Sequence, residues 1–88
     1  MPNITAAGTY TKDTPGFEML RSTSSQRAFL FGGSSYGSSC TIGYLDDTGT
    51  AQVFGNGSIT ENVSKKIPAN INIQIVVAGS PNFNLTVV

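Results

Sequence analysis

The feature of this sequence that most limits its fold is a two-residue alternation near its end. Apolar side chains occupy every second position of residues 71–77 and again of residues 83–87, and Asn, Gln or Thr fill most positions between them. A period of two residues is that of a β-strand with one buried face. Residues 78–81, Ala-Gly-Ser-Pro, supply turn residues between the two runs, so the sequence predicts a β-hairpin here. An isolated hairpin is marginal in water, and the preceding residues must supply a second layer.

Short strand candidates recur through the preceding residues, separated by turn signals about every 8 to 12 residues. The first is residues 4–10, within an opening segment 1–16 that is an edge strand or an N-terminal arm. Residues 27–31 are predicted to form a central strand, and residues 40–45 and 50–54 form two strands joined by a turn at 46–49. Residues 63–67 form a further strand, which Pro68 ends. A loop is predicted at 32–39 and a tight turn at 55–58. Residues 17–22 leave room for a strand of about six residues, and they are the one place where a helical turn fits instead. We therefore predict an all-β chain, a single small antiparallel β-sandwich of jelly-roll type with about seven to eight short strands over residues 1–88.

The size of the chain indicates how such a fold gains stability. A domain of 88 residues has a core that is only just sufficient on its own. The single cysteine, Cys40, excludes an intrachain disulfide, and the absence of histidine removes the usual zinc ligand sets. Oligomerisation is therefore the favoured supplement, and we predict no metal and no cofactor.

Charge is low and balanced, with five basic and five acidic residues. Such a surface lacks the basic patch of a nucleic-acid-binding protein, so no nucleic-acid partner is expected. A coat rich in Ser, Thr, Asn and Gly suits a protein packed beside other subunits. The residues after Met1 resemble neither a signal peptide nor a membrane span, so we expect no membrane partner and no signal-directed export.

Candidate catalytic groups are few. The pair Asp46-Asp47 is followed by Thr-Gly, which is ordinary turn chemistry and favours a turn over a metal site or an acid–base pair. No histidine is present to activate a serine, and Lys65 and Lys66 are better explained as charges that protect an edge strand. Cys40, at the start of an apolar strand, is expected to be a small buried side chain. We therefore predict no catalytic residues and no enzymatic activity.

Several segments resemble small all-β virion proteins of tailed bacteriophages. The segments are residues 40–49 (Cys-Thr-Ile-Gly-Tyr-Leu-Asp-Asp-Thr-Gly), Val53-Phe54 with the Gly/Asn turn after it, residues 66–69, residues 73–80 and residues 83–87, within about the last fifty residues. The resemblance implies a virion structural protein, either a capsid decoration or head-stabilising protein or the base of a head fibre. It implies the major capsid protein and further copies of the chain as partners, with a homotrimer favoured. It also implies a location on the capsid surface after synthesis in the host cytoplasm.

A surface that binds such partners is expected to be aromatic and small-polar. Tyr10, Tyr36 and Phe54 are the candidate partner-interface residues. Tyr36 is the only bulky residue in its small-residue segment, which leaves two alternatives open: a contact residue, or a lid folded over the core. A carbohydrate-binding or adhesion module of the tail-fibre or knob type is the alternative function, with a glycan as ligand, although the chain lacks tryptophan, the strongest stacking residue.

Overall fold

The computed structural model of the protein describes residues 2–88, apart from the side chain of Asn56. Within that range the chain forms eight strands, which are β1 (Asn3–Ile4), β2 (Gly8–Tyr10), β3 (Arg27–Tyr36), β4 (Ser39–Leu45), β5 (Ala51–Ser58), β6 (Val63–Ile67), β7 (Asn72–Ala78) and β8 (Pro81–Val87). A 3-10 helix of one turn, Glu18–Leu20, lies between β2 and β3. Of the two alternatives for residues 17–22, the short strand is wrong and the helical turn is the one that forms.

The strands form two four-stranded antiparallel sheets. Sheet 1 has the order β1-β8-β3-β6 and sheet 2 has the order β2-β7-β4-β5. This order pairs β1 with β8, β2 with β7, β3 with β6 and β4 with β5, which is the arrangement of an eight-stranded jelly roll. The predicted β-sandwich is therefore confirmed.

The core lies between the two sheets and is built from the inward-facing rows that the alternation predicts. Ile73 and Ile75 on β7 and Leu85 on β8 are fully buried. On sheet 1, the ring of Phe83 lies 6.0 Å from that of Phe31 and 4.8 Å from that of Tyr36, measured between centroids. Each such aliphatic or aromatic side chain contributes about 1.5–3 kcal/mol when fully buried.

The predicted C-terminal hairpin is wrong, although both of its strands are present. β7 pairs with β2 and β4 in sheet 2, whereas β8 pairs with β1 and β3 in sheet 1. The connection between them crosses from one sheet to the other. Gly79 takes a φ of 84° at this corner, where an added Cβ would lie 2.5 Å from the backbone nitrogen of Ser38. Alternation fixes which face a residue occupies, but it does not fix which strand lies alongside.

A predicted loop and a predicted tight turn are strands in the structure. The segment 32–39 contains the second half of β3 and the first residue of β4, and the segment 55–58 is the end of β5. Both strands pair irregularly. The register between β3 and β8 shifts between Gly33 and Ser35, and the register between β5 and β4 shifts between Thr41 and Gly43 of β4. Glycine-rich composition at these irregular positions is typical of bulged strands as well as of loops.

The opening segment forms two short edge strands. The predicted strand 4–10 divides into β1, at the edge of sheet 1, and β2, at the edge of sheet 2. Of the two alternatives for residues 1–16, the edge strand is therefore the one that matches β1 and β2. The central position predicted for the strand at residues 27–31 is confirmed by β3. The extent of a single domain over residues 1–88 stays a prediction, and Met1 lies outside the described residues.

Arg27, at the start of β3, ties the 3-10 helix to both sheets. Its guanidinium donates hydrogen bonds to the carbonyls of Met19 (2.9 Å), Arg21 and Ile71 (3.3 Å). The same group lies 5.1 Å from the centre of the Phe29 ring, within the range of a cation–π contact. Partial burial lowers the pKa of Arg27 from its usual value. These contacts are to carbonyl oxygens and an aromatic ring, so the charge of Arg27 serves the fold.

Candidate functional site

The charged side chains are concentrated away from the faces of the sandwich. Of the ten charged residues, seven lie outside the strands of the described chain, namely Lys12, Asp13, Glu18, Arg21, Asp46, Asp47 and Glu61. The other three are Arg27, whose guanidinium is held as described above, and Lys65 and Lys66 on β6. The predicted role of these two lysines agrees with their position, because β6 is an edge of sheet 1 and Pro68 follows it.

The outer surface of sheet 2, which we call the sheet 2 face, is uncharged. The strand registers place the following residues on it: Thr9, Thr41, Gly43, Leu45, Ala51, Val53, Ser58, Asn72, Gln74 and Val76. Val53 is 74% exposed and Val76 is 42% exposed. None of these described positions carries a charge. The face is therefore a surface of hydroxyl, amide and aliphatic side chains with no groups that require a counter-ion.

The outer surface of sheet 1, which we call the sheet 1 face, contains a hollow. The registers place Asn3, Ala28, Leu30, Gly32, Ser64, Lys66, Asn84 and Thr86 on this face. Around Gly32 the face has an open depression of about 420 Å³, lined by Leu30, Gly32, Gly33, Asn62, Asn84 and Thr86. We call it the Gly32 depression. Its lining is uncharged, and Asn62, Asn84 and Thr86 supply its polar side chains.

A second concavity, which we call the edge groove, lies between β5 and β6 at the open side of the sandwich. It has a volume of about 470 Å³ and is lined by Ile42, Phe54, Ser64, Lys65, Lys66, Ile67 and Pro68. Its floor includes Ile42 and Ile67, which belong to the buried core. In this groove, side chains on the inner faces of the edge strands β5 and β6 are exposed to solvent.

The three predicted interface residues lie in three separate places. Tyr10 lies on β2 and Phe54 on β5, which are opposite edges of sheet 2, and Tyr36 lies on β3 of sheet 1. The structure therefore does not bring them together into one patch. Their role in binding a partner stays a prediction.

Each of the three rings has its own intramolecular contacts. Tyr10 is half-buried, with its ring 4.8 Å from that of Phe17, and its hydroxyl donates to the carbonyl of Ala6. Phe54 is half-buried against Tyr44, at 5.1 Å between ring centroids. Both rings keep part of their surface open to solvent.

Tyr36 matches the lid alternative. Its side chain is only 8% exposed, and its hydroxyl donates a 2.7 Å hydrogen bond to Oδ1 of Asn62. The same Oδ1 accepts the backbone N–H of Gly33 at 3.0 Å. Burial, and to a smaller extent the electrostatic interaction with Cys40, raise the pKa of Tyr36 above its usual value. Asn62, which the sequence analysis did not single out, thus holds the segment between β5 and β6 against β3.

Asp46 forms the turn that was predicted for it. Its Oδ1 accepts hydrogen bonds from the backbone N–H of Thr48 (2.9 Å), the hydroxyl of Thr48 (2.6 Å) and the backbone N–H of Thr50 (2.9 Å). Its Oδ2 accepts a bond from the side-chain amide of Gln52 at 3.1 Å. The hydrogen bond from the Thr48 hydroxyl, followed by those from Thr50 and Gln52, lowers the pKa of Asp46 to about 2. The carboxylate is used as a turn acceptor, as in an Asx-turn.

Replacing Asp46 with Asn is expected to lower thermal stability at neutral pH but not at strongly acidic pH. The folded pKa of about 2 lies below the ordinary 3.8, so the ionised group contributes stability above pH 3.8 that is lost as the pH falls towards 2. Melting temperatures of the wild type and Asp46→Asn should therefore differ at pH 7 and converge near pH 2. Asp47→Asn controls for the loss of one negative charge from the same turn. A gap of equal size at both pH values would contradict the role of the charge.

Cys40 lies where the sequence placed it, in the core. The residue is 1% exposed on β4, and burial raises the pKa of its thiol to about 11. A thiol in this environment is a poor nucleophile at neutral pH because the thiolate is disfavoured. Across residues 2–88, no group of three or more His, Cys, Asp and Glu side chains is placed to hold a metal ion.

Comparisons of the chain with known protein families, with curated proteins and with solved structures return no match. In the part of the chain that the structure describes, no helix has the length and apolar character needed to span a membrane. The candidate surfaces for function are therefore defined by their own geometry: the sheet 2 face, the Gly32 depression and the edge groove.

Proposed function

We propose that this chain is a non-enzymatic structural protein of a bacteriophage virion. In this role it is a capsid decoration or head-stabilising protein that binds the major capsid lattice as an oligomer, with a trimer favoured. The observation that supports the proposal most directly is the uncharged sheet 2 face. The low charge of the whole chain and the resemblance to small all-β virion proteins point in the same direction.

An uncharged face favours packing against another subunit because of the cost of desolvation. A charged group that loses its hydration without gaining a partner costs several kcal/mol, whereas Thr, Val and amide side chains lose much less. The sheet 2 face presents exposed Val53 and Val76 and no charge. It therefore meets the requirement that the centre of an interface be apolar and depleted of charge.

The size of this face accounts for the need for several copies. Four strands spaced about 4.8 Å apart, with about 3.3 Å per residue along each strand, give a face of roughly 400 Å². A standard protein interface buries about 800 Å² on each partner. One contact of this size is weak, but several contacts made together by an oligomer on a regular lattice add to a strong attachment.

The proposal is tested by placing a positive charge on each face in turn. Val76 and Leu30 are a matched pair, since they are 42% and 43% exposed on central strands of opposite sheets. We expect the wild type to form an oligomer in light scattering and to bind purified heads of the phage that encodes it. Val76→Lys should reduce both, and Leu30→Lys should leave both intact. The melting temperature of each variant, measured at low concentration, checks that the fold is retained.

Two results would contradict different parts of the proposal. A wild-type chain that is monomeric and fails to bind phage heads would overturn the virion role. A chain that assembles and binds heads equally well with Val76→Lys would keep that role and exclude the sheet 2 face as the contact surface.

A further inference from the structure

The Gly32 depression exists because one position on the central strand of sheet 1 lacks a side chain. Gly32 lies on the sheet 1 face directly beside Asn84, and a Cβ added to Gly32 would meet no heavy atom within 4 Å. The hollow is about 420 Å³, within the range of small-ligand sites. A β-branched residue would suit this strand position better, since glycine weakens strands.

Asn84 contributes an unusual polar atom to this part of the molecule. Its Oδ1 is buried and has no hydrogen-bond partner in the described structure. Few buried acceptors remain unpaired in native proteins, and each lowers stability. Rotation about the soft Cβ–Cγ torsion of an Asn side chain costs little, so a ligand in the hollow that offers a donor can be met by this amide.

Asn62 forms a fixed wall of the same hollow. Its Oδ1 is held by the hydroxyl of Tyr36 and the backbone N–H of Gly33. The carboxamide is thereby oriented, and its NH2 group is the part that can donate to a ligand. The hydroxyl of Thr86 both donates and accepts, and Leu30 offers an apolar surface that is 43% exposed.

We propose that the Gly32 depression binds one unit of a neutral saccharide. A sugar hydroxyl both donates and accepts hydrogen bonds, which matches the amides of Asn62 and Asn84 and the hydroxyl of Thr86. The C–H face of the ring packs against Leu30. This site goes beyond the structural role and is independent of it, because it lies on the opposite sheet from the proposed contact face.

The same geometry disfavours other ligands. None of the lining residues is charged, so a carboxylate or an ammonium group would lose hydration without gaining a counter-ion. An extended peptide binds by adding a strand to an open sheet edge, but β3 is flanked by β8 and β6. The floor of the depression therefore offers no free strand edge to a peptide.

Nuclear magnetic resonance titration of the full chain tests this inference. The probes are the methyl glycosides of glucose, galactose, mannose and N-acetylglucosamine, with sodium glucuronate as the charged comparison. We expect at least one neutral glycoside to cause saturable shifts in the backbone N–H signals of Gly32 and Gly33 and in the side-chain NH2 signals of Asn62 and Asn84. A dissociation constant in the millimolar range, about 1–10 mM, is expected for a single shallow subsite.

Two variants separate binding from folding. Gly32→Val places a β-branched side chain in the hollow, and its Cβ meets no heavy atom within 4 Å. It should weaken binding by about tenfold or more while the melting temperature is kept or raised. Gly55→Val is the matched control, since Gly55 is also an open strand glycine and lies in sheet 2. Asn84→Leu removes the unpaired acceptor, so it should weaken binding without lowering the melting temperature.

Several results would overturn the inference. The first is the absence of saturable shifts with every neutral glycoside up to about 100 mM. The second is binding that Gly32→Val leaves unchanged, and the third is binding of glucuronate as tight as that of the neutral glycosides. The fourth is a set of shifts that map to the edge groove instead of the Gly32 depression. If phage heads are bound while no saccharide is, the saccharide site is excluded and the structural role stands.

Discussion

Replacing Ile75 with Asp is expected to abolish folding of the chain. Ile75 has no exposed surface, and on β7 it pairs with Tyr10 of β2 on one side and with Ile42 of β4 on the other. Removal of a buried Ile side chain costs about 2–5 kcal/mol through lost burial and the cavity. The unpaired carboxylate adds several kcal/mol more. The total exceeds about 5 kcal/mol, the lower end of the stability range of native domains.

Gln74→Asp is the control for this prediction. Gln74 precedes Ile75 on β7 and faces outward on the sheet 2 face, beside Gly43. Circular dichroism melts at low protein concentration should show an intact transition for Gln74→Asp and none for Ile75→Asp. Loss of folding in both variants would contradict the assignment of inner and outer faces for an isolated chain. It would mean that the outer face is buried by another subunit even at low concentration.

The inner and outer faces were predictable from sequence, but the membership of the sheets was not. The hairpin of β4 and β5 was predicted correctly because its turn is held locally: the backbone N–H of Asp46 donates to the carbonyl of Thr50, and that of Gly49 to the carbonyl of Asp46. The turn after β7 has a different partner, since the carbonyl of Ala78 accepts the backbone N–H of Ser38 at 2.8 Å. A bond to a residue this distant in sequence leaves no local signal, so the crossing between sheets was missed.

The Gly32 depression was missed for a related reason. The inward row of β3 runs through Phe29 and Phe31, and the register then shifts between Gly33 and Ser35. The inward position after the shift is Tyr36, so the two-residue period changes phase within the strand. A glycine-rich segment with a broken period predicts a loop. In the sandwich it is a bulged central strand, and Tyr36 becomes a core residue.

Replacing Gly33 with Ala is expected to cost far more stability than the same change at Gly32. A Cβ on Gly33 would lie 2.4 Å from Cα of Phe83 and 2.5 Å from the carbonyl oxygen of Asn82, which are backbone atoms of β8. Relief requires β8 to move away from β3, and this displaces Phe83 from its contact with Phe31. Overpacking of this kind costs about 1–3 kcal/mol when only side chains must adjust, and more when a backbone must shift.

The neighbouring glycine provides the control for that comparison. A Cβ on Gly32 meets nothing within 4 Å, and alanine restricts the unfolded chain more than glycine does. Gly32→Ala should therefore melt at the wild-type temperature or slightly above it, while Gly33→Ala melts far below it or fails to fold. Equal melting temperatures for the two variants would show that β8 does not approach β3 closely at Gly33.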